Sequence, residues 1–314
     1  MRMPKCPSAE IVFLKCVKDG IPNRDPLNDS DARRIFGESD GRISLSDVSI
    51  KRDVRDYVLS KHPDGGPNRN LFVYCREERD QQGKLLTRKD LVARVLDDAG
   101  LPQDDLRSGL SRASFDYRAF GAVYSVTGFS FHQTGPVQFG WAHSLHPVET
   151  KYVQGTVVMP SDEDRTQGTI WSTYILPFAV FAMPGVVNAT LAGQTGFTSE
   201  DLDLLLEALW NGTSVRQARG RGIQKPVLLV VVEYSDPFSR IGFLEERVAI
   251  EPEREKWLSD TPPTQLSDVT IDVTLLEAVL KQEQERGRVA RVRYWVGDGL
   301  RMKGQIPGVR GALW

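Results

Sequence analysis

The hydrophobic pattern opens with Glu10–Val17, a short apolar and β-branched run that predicts the first strand. Lys18–Asp40 is dense in Gly, Pro, Asn and Asp and predicts a long irregular loop; ordered loops of that length in compact domains are more often functional than not. Helical spacing then takes over. Ile50, Val54, Tyr57 and Val58 share one stripe behind an N-cap at Ser46 or Asp47, which leaves Lys51, Arg52 and Arg55 adjacent to one another off that stripe. His62–Asn70 is a Pro/Gly break, Leu71–Cys75 predicts a strand, and the T-x-x-D of Thr87 and Asp90 caps a helix ending near Gly100.

Farther along, Ala119–Gly140 alternates small, aromatic and β-branched residues with glycines and predicts two or three strands. Lys151–Met159 and Thr169–Phe181 predict a strand pair around a polar tip, Pro160–Gly168. Thr198 and Asp201 cap a helix with Leu202, Leu205, Leu206 and Leu209 on one face, expected to stop at Asn211-Gly212. Val227–Tyr234, almost wholly apolar, predicts a buried central strand. Thr274–Arg286 predicts a helix with Leu275, Leu276, Val279 and Leu280 inward and Gly287 closing it. Strand Val289–Val296 is expected to turn Ala290, Val292, Tyr294 and Val296 one way and Val289, Arg291, Arg293 and Trp295 the other. Arginines beside an aromatic on one β-face suit single-stranded RNA, whose phosphates need cations and whose bases stack on planar groups. The bland alternative is an edge strand with a solvated basic side.

Composition narrows the class. The 314 residues, 40% hydrophobic and 26% charged, fit one or two ordinary globular domains. The longest apolar run, Ile175–Val187, is short and broken by Pro177 and Pro184, so no membrane partner is expected. The first ten residues lack an apolar core typical of a signal peptide. Cys6, Cys16 and Cys75 are too few for a disulfide framework, and a cytoplasmic location is the economical expectation. Forty basic against forty-two acidic residues give a net charge of -2, yet the charges segregate. Ser214–Pro226 holds Arg216, Arg219, Arg221 and Lys225 without an acid, and Arg286–Lys303 holds six basic residues against Asp298 alone. Such patches bind phosphate locally while the near-neutral whole packs against copies of itself without strong repulsion.

Motifs for chemistry are sparse. There is no phosphate-binding GxxxxGK[ST], no GxGxxG after a strand, no HExxH and no GxSxG. His143 and His146 form an HxxH pair near His132, but without a cysteine cluster or helical register the reading is polar loop residues, with no metal and no cofactor expected.

Collinear stretches carry a resemblance. They are KDGIPNRDP at Lys18–Pro26, LSDVSIKRDVRDY at Leu45–Tyr57, FDYRAFG at Phe115–Gly121, and TGPVQF at Thr134–Phe139. SLHPVE at Ser144–Glu149, TYILPF at Thr173–Phe178, LWNGT at Leu209–Thr213 and KPVLLVVVEY at Lys225–Tyr234 follow in order. Together they cover roughly residues 10–250, and each is weak alone. The chain resembles the CRISPR-associated, crRNA-binding RAMP-type backbone subunit of type I Cascade complexes, nearest in pattern to the type I-B form.

The resemblance implies an α+β fold over residues 1–314: an RRM-like (ferredoxin-like) core, or palm, with large insertions. Residues 62–112 are expected to form a finger-like subdomain and residues 151–181 a thumb hairpin. It further implies a non-catalytic subunit polymerising along guide crRNA in a helical filament, beside other Cascade subunits, and presenting the guide to target DNA. Matching positions make Asn23, Arg24, Lys51, Arg52, Arg55, Gln138, His143, Ser144, Arg216, Arg219 and Arg221 the expected RNA contacts, to which the strand pattern adds Arg291 and Arg293. Two departures stand out. Relatives carry NGDP where this chain has Asn23-Arg24-Asp25-Pro26, and an arginine where it has His143, whose neutral imidazole cannot replace a guanidinium fork. The competing readings are an RNA-cleaving backbone-type subunit using Asp25 or Asp29, and an unrelated module binding protein or duplex DNA.

Overall fold

The computed structural model describes residues 6–28, 31–157 and 170–314. In chain order the elements are β1 (Ala9–Lys18), β2 (Ser44–Leu45), α1 (Asp47–Lys61), α2 (Arg88–Ala99), α3 (Leu106–Ala113), α4 (Phe115–Phe120), β3 (Gly121–Val126), β4 (Phe129–Thr134), β5 (Val137–Phe139) and β6 (Ala142–Ser144). Then come β7 (Lys151–Thr156), β8 (Ile170–Ile175), β9 (Phe178–Val187), α5 (Ala189–Thr195), α6 (Ser199–Val215) and β10 (Ile223–Tyr234). The remainder is β11 (Ala249–Glu251), α7 (Arg254–Trp257), β12 (Thr270–Asp272), α8 (Thr274–Glu285), β13 (Val289–Val296), β14 (Met302–Lys303) and β15 (Val309–Arg310).

An eight-stranded sheet in the order β15-β13-β10-β1-β9-β6-β2, with β5 also on β9, forms the core. Its heart is β1, antiparallel to both β10 and β9 over its whole length. Every residue of β1 except Lys18 is buried, so alternate residues feed two separate cores. Ile11, Phe13 and Val17 pack with Ile50, Val54 and Val58 of α1 and with Leu202, Leu205, Leu206 and Leu209 of α6. Val12, Leu14 and Cys16 face the other way, against Trp257, Ile271, Leu276 and Leu280. Both faces of the sheet are therefore covered: α1 and α6 on one, the segment from about residue 244 to 306 on the other. A third cluster joins Phe72 and Tyr74 to α2, α3, Tyr117 and Tyr124.

The helix caps follow the sequence reading. Ser46 accepts from the Ser49 N–H, and Thr87 and Thr198 form reciprocal capping boxes with Asp90 and Asp201. Several expectations need correction. Leu71–Cys75 is not a strand: Phe72 makes one bridge to Ser114, and the Tyr74 and Cys75 N–H groups donate to the Asp116 carboxylate instead of to a neighbouring strand. The first residues of Ala119–Gly140 end α4 before β3, β4 and β5 begin. The α6 helix runs through Asn211-Gly212 to Val215. Gly212 is there for close approach, since a Cβ on it would lie 2.4 Å from the Asp53 carbonyl oxygen of α1. Leu275 points to solvent while Leu276 and Leu280 are buried.

Strand β13 is also misjudged by simple alternation. A register shift opposite Glu233/Tyr234 puts Val289 in the same core as Val292. Its arginine-bearing face is not open: Trp295 packs in the α1/α6 core and stacks on Trp314, with ring centroids 5.0 Å apart.

His146 is buried within this framework. Its Nε2 accepts from the Val180 N–H, its Nδ1 meets the Pro147 carbonyl, and its ring stacks on Trp257. Burial pushes the imidazole down to about 3, so the folded state keeps it neutral where the unfolded chain takes up a proton. The sign follows: its stability contribution is complete above pH 6.5 and is lost as pH falls toward 3, with a slope of up to about 1.4 kcal/mol per pH unit. Urea unfolding of wild type and His146→Gln is expected to show a wild-type advantage that shrinks between pH 6.5 and 4.5; a constant difference would remove this assignment. Gly212→Val, forcing α1 and α6 apart, is expected to cost about 1–3 kcal/mol in the same assay.

Candidate nucleic-acid interface

The expected RNA contacts divide into residues that build the framework and residues that keep their charge at the surface. Asp53 of α1 is buried and accepts from Lys15 of β1 at 2.9 Å, Arg216 at 3.0 Å and Arg221 at 3.2 Å. Arg216 also donates to the Ser49 carbonyl and Arg221 to the Pro22 carbonyl, so α1, the end of α6 and the Lys18–Asp40 loop are tied at one point. Burial lowers the Lys15 and Arg221 pKa values, with Asp53 opposing the shift in each case. Asp116 is a second such node, accepting from Arg55, Tyr74, Cys75 and Ser114.

Several expected contacts are thereby engaged in the fold. The Asn23 side-chain oxygen accepts from the Ser46 N–H and hydroxyl, fixing the α1 cap. Lys51 pairs with Asp47, and Arg55, paired with Asp116, sits with it about the Phe120 ring. Of that trio only Arg52 is well exposed, in a surface pair with Asp56. The Ser144 hydroxyl is buried between the Ile43 N–H and the His146 carbonyl. Gln138 donates to the Gly135 carbonyl. Arg293 is engaged by Asp203 and Glu233 on the face under α6. His143 bonds Ser44 and lies 4.6 Å from the Phe36 ring, whose other neighbour is the Arg42 guanidinium; burial lowers its pKa. Arg291 is exposed.

Lys18 and Arg219 share one pole of β1, away from Arg52 and Arg291. Here Lys18, Asp19, Arg219, Gly220, Gly222 and Ile223 line a cleft of about 490 Å³. Gly20 and Gly222 pack backbone to backbone: a Cβ on Gly20 would fall 2.1 Å from the Gly222 nitrogen. Lys18 has no ion-pair partner among the described residues, and Lys225, nearby on β10, donates only to the Asp298 carbonyl. The β7–β8 hairpin rises from the same pole, because β9 pairs its first residue, Phe178, with Lys18. Arg24 reaches from the long loop to the Tyr174 and Gly220 carbonyls, and Arg219 lies over the Trp171 ring. Sequence reasoning missed Lys18, whose signal was a lysine closing a strand directly before the Gly-Pro-Asn loop. The expected tip, Pro160–Gly168, and Asp29 lie outside the described residues.

Among the described residues no group of His, Cys, Asp and Glu is placed to hold a metal ion, and no helix is long and apolar enough to cross a membrane. The cleft at the root of the hairpin thus brings Lys18 and Arg219 beside Asp19 and the glycine backbone of Gly220 and Gly222. The chain belongs to the family described as CRISPR-associated protein Cas7, whose sequence model matches residues 8–274. No curated protein matches it. Its fold is similar to a chain of a "CRISPR RNA-guided surveillance complex, pre-nicking" (TM-score 0.61, 15% identity, covering 98% of this chain and 96% of that one). A chain of a second CRISPR RNA-guided surveillance complex aligns with a TM-score of 0.54 at 16% identity, over 98% of this chain and 95% of the other.

Asp53→Ala strands Lys15 and Arg221 without their carboxylate and is expected to cost about 3–5 kcal/mol. Arg52→Ala, at an exposed pair, is expected to change stability by less than about 0.5 kcal/mol. Chemical unfolding of the two variants side by side checks this, and similar losses would disprove the division between framework and surface cations.

Proposed function

We propose that this chain is a guide-RNA-binding backbone subunit of a type I CRISPR surveillance (Cascade) complex. The observation that carries the reading is the family match over residues 8–274. Strand order supports an RRM-like (ferredoxin-like) palm: β10, β1, β9 and β6 are neighbours, with α1 following β1 and α6 following β9 on one face. On this reading the satellite cluster around α2 and α3 is the finger-like subdomain, β7–β8 is the thumb, and the type I-B form is the subtype favoured by the motifs. Copies follow one another along the crRNA in a filament beside other Cascade subunits in the cytoplasm, leaving the bases free to pair with target DNA.

RNA phosphates meet the pole of β1 at Lys18 and Lys225, with Arg52, His143 and Arg291 as outlying contacts. The role is non-catalytic.

Purified protein is expected to carry intact RNA in an oligomer, read by light scattering, absorbance ratio and denaturing gels. A nucleic-acid-free monomer that ignores added single-stranded RNA would overturn the reading. Lys18→Ala and Lys225→Ala are each expected to weaken binding with little sequence bias and to flatten the slope of log affinity against log salt by about 0.7. An unchanged slope in the double variant would move the RNA away from this pole.

A further inference from the structure

Among the described residues the β7–β8 hairpin is a two-stranded sheet of its own, with no ladder to the palm. An isolated hairpin has little intrinsic stability, so its angle depends on what grips its base. Trp171 of β8 faces Gly155 of β7 across the ladder, and a Cβ at Gly155 would fall 2.4 Å from the indole. This glycine has no unusual backbone angle to explain it; it clears space for the ring to lie flat over the neighbouring strand. The Arg219 guanidinium carbon then sits 4.7 Å from the ring centroid.

Arg24 grips the same base. Its Nη2 donates to the Tyr174 carbonyl of the hairpin at 3.2 Å and to the Gly220 carbonyl of the palm loop at 3.0 Å. Gly220, whose φ of +79° already favours glycine, also lets Arg24 approach closely: a Cβ on it would lie 2.5 Å from that nitrogen. Burial lowers the Arg24 pKa, with Asp31 opposing, as suits a guanidinium drawn off the surface.

We propose that Gly155, Trp171, Arg219 and Arg24 form a latch that fixes the hairpin to the palm, and that Arg24 and Arg219 are positioning residues rather than phosphate contacts. The proposal rests on the reading that the hairpin works against RNA, but its primary test does not need RNA. A cation over an aromatic face and a bridging hydrogen bond hold geometry whether or not an anion is present.

The test uses the full chain. Hydrogen exchange of residues 151–157 and 170–175 in free protein is expected to quicken about three- to fivefold in Gly155→Val, Trp171→Ala, Arg219→Ala and Arg24→Gln, with the palm unchanged. Trp171→Phe and Arg219→Lys, which keep a ring and a cation, should retain most of the protection. The double variant Trp171→Ala, Arg219→Ala should lose no more than either single change, because the two act as one unit. Binding to a uridine 30-mer is then read at several salt concentrations. A latch leaves the salt slope of Arg219→Ala at the wild-type value. Normal hairpin exchange in Arg219→Ala and Trp171→Ala would overturn the proposal, and so would a slope flattened by about 0.7 with exchange unchanged. If wild type ignores the oligomer altogether, the functional reading fails while the exchange result still decides the latch.

Discussion

The buried Asp53 carboxylate is the constraint on which the rest of the structure depends. It sits on α1 and accepts from Lys15 in the middle of β1, from Arg216 at the end of α6 and from Arg221 in the loop before β10. A charge removed from water is tolerable only when paired with good geometry, so these groups cannot separate without leaving an uncompensated ion behind. Once they are joined, α1 must lie over β1 against α6, at the distance that Gly212 allows. Arg221 then fixes the start of the long loop through the Pro22 carbonyl, and Asn23, one residue on, caps α1 through Ser46. The pole of β1 that carries the cationic cleft is shaped by this chain of obligations.

That node also separates two kinds of basic residue that look alike in sequence. The cluster from Arg216 to Lys225 is real as a pattern, but its members have different fates. Arg216 and Arg221 turn inward to satisfy Asp53, while Arg219 and Lys225 remain at the surface. The same division runs through α1, where Arg55 serves the buried Asp116 and Arg52 faces outward. A linear count of cations cannot make this distinction, because the deciding carboxylates are brought together from far along the chain. The clue present in the sequence was Lys15, a lysine within an otherwise apolar strand, which demands a buried anion somewhere.

Elements whose stability is written locally were legible. Helices α1, α2 and α6 begin where a side-chain oxygen caps them, and β1 and β10 are apolar runs buried on both faces. Elements that depend on distant partners were not. The two-residue strand β2 is held between β6 and a bridge from Arg33, and Phe72–Cys75 is held by Asp116 rather than by a ladder. Strict alternation along β13 failed because the register slips between Arg291 and Val289 opposite Glu233/Tyr234, leaving Ala290 without a partner across the ladder. The helix behind the Ser46 cap and the irregular loop after β1 fall where the pattern placed them. The engagement of Arg293, Arg216 and Arg221 by acids was hidden for the reason that hides all tertiary pairing.

The covered sheet also determines how this molecule meets RNA. An open RRM-type sheet reads single strands by stacking bases on aromatic residues of its exposed face. Here α1 and α6 occupy one face of the main sheet and residues from Leu244 to Ile306 contribute to the core on the other, with Trp295 enclosed beside Trp314. No bare face is left among the described strands at the centre of this sheet for bases to stack upon. On the proposed reading the approach is over the pole of β1, where Lys18 and the glycine-lined turns offer charge and close backbone contact. A surface that holds phosphates without reading bases is what the proposed scaffold role requires, since specificity then belongs to base pairing.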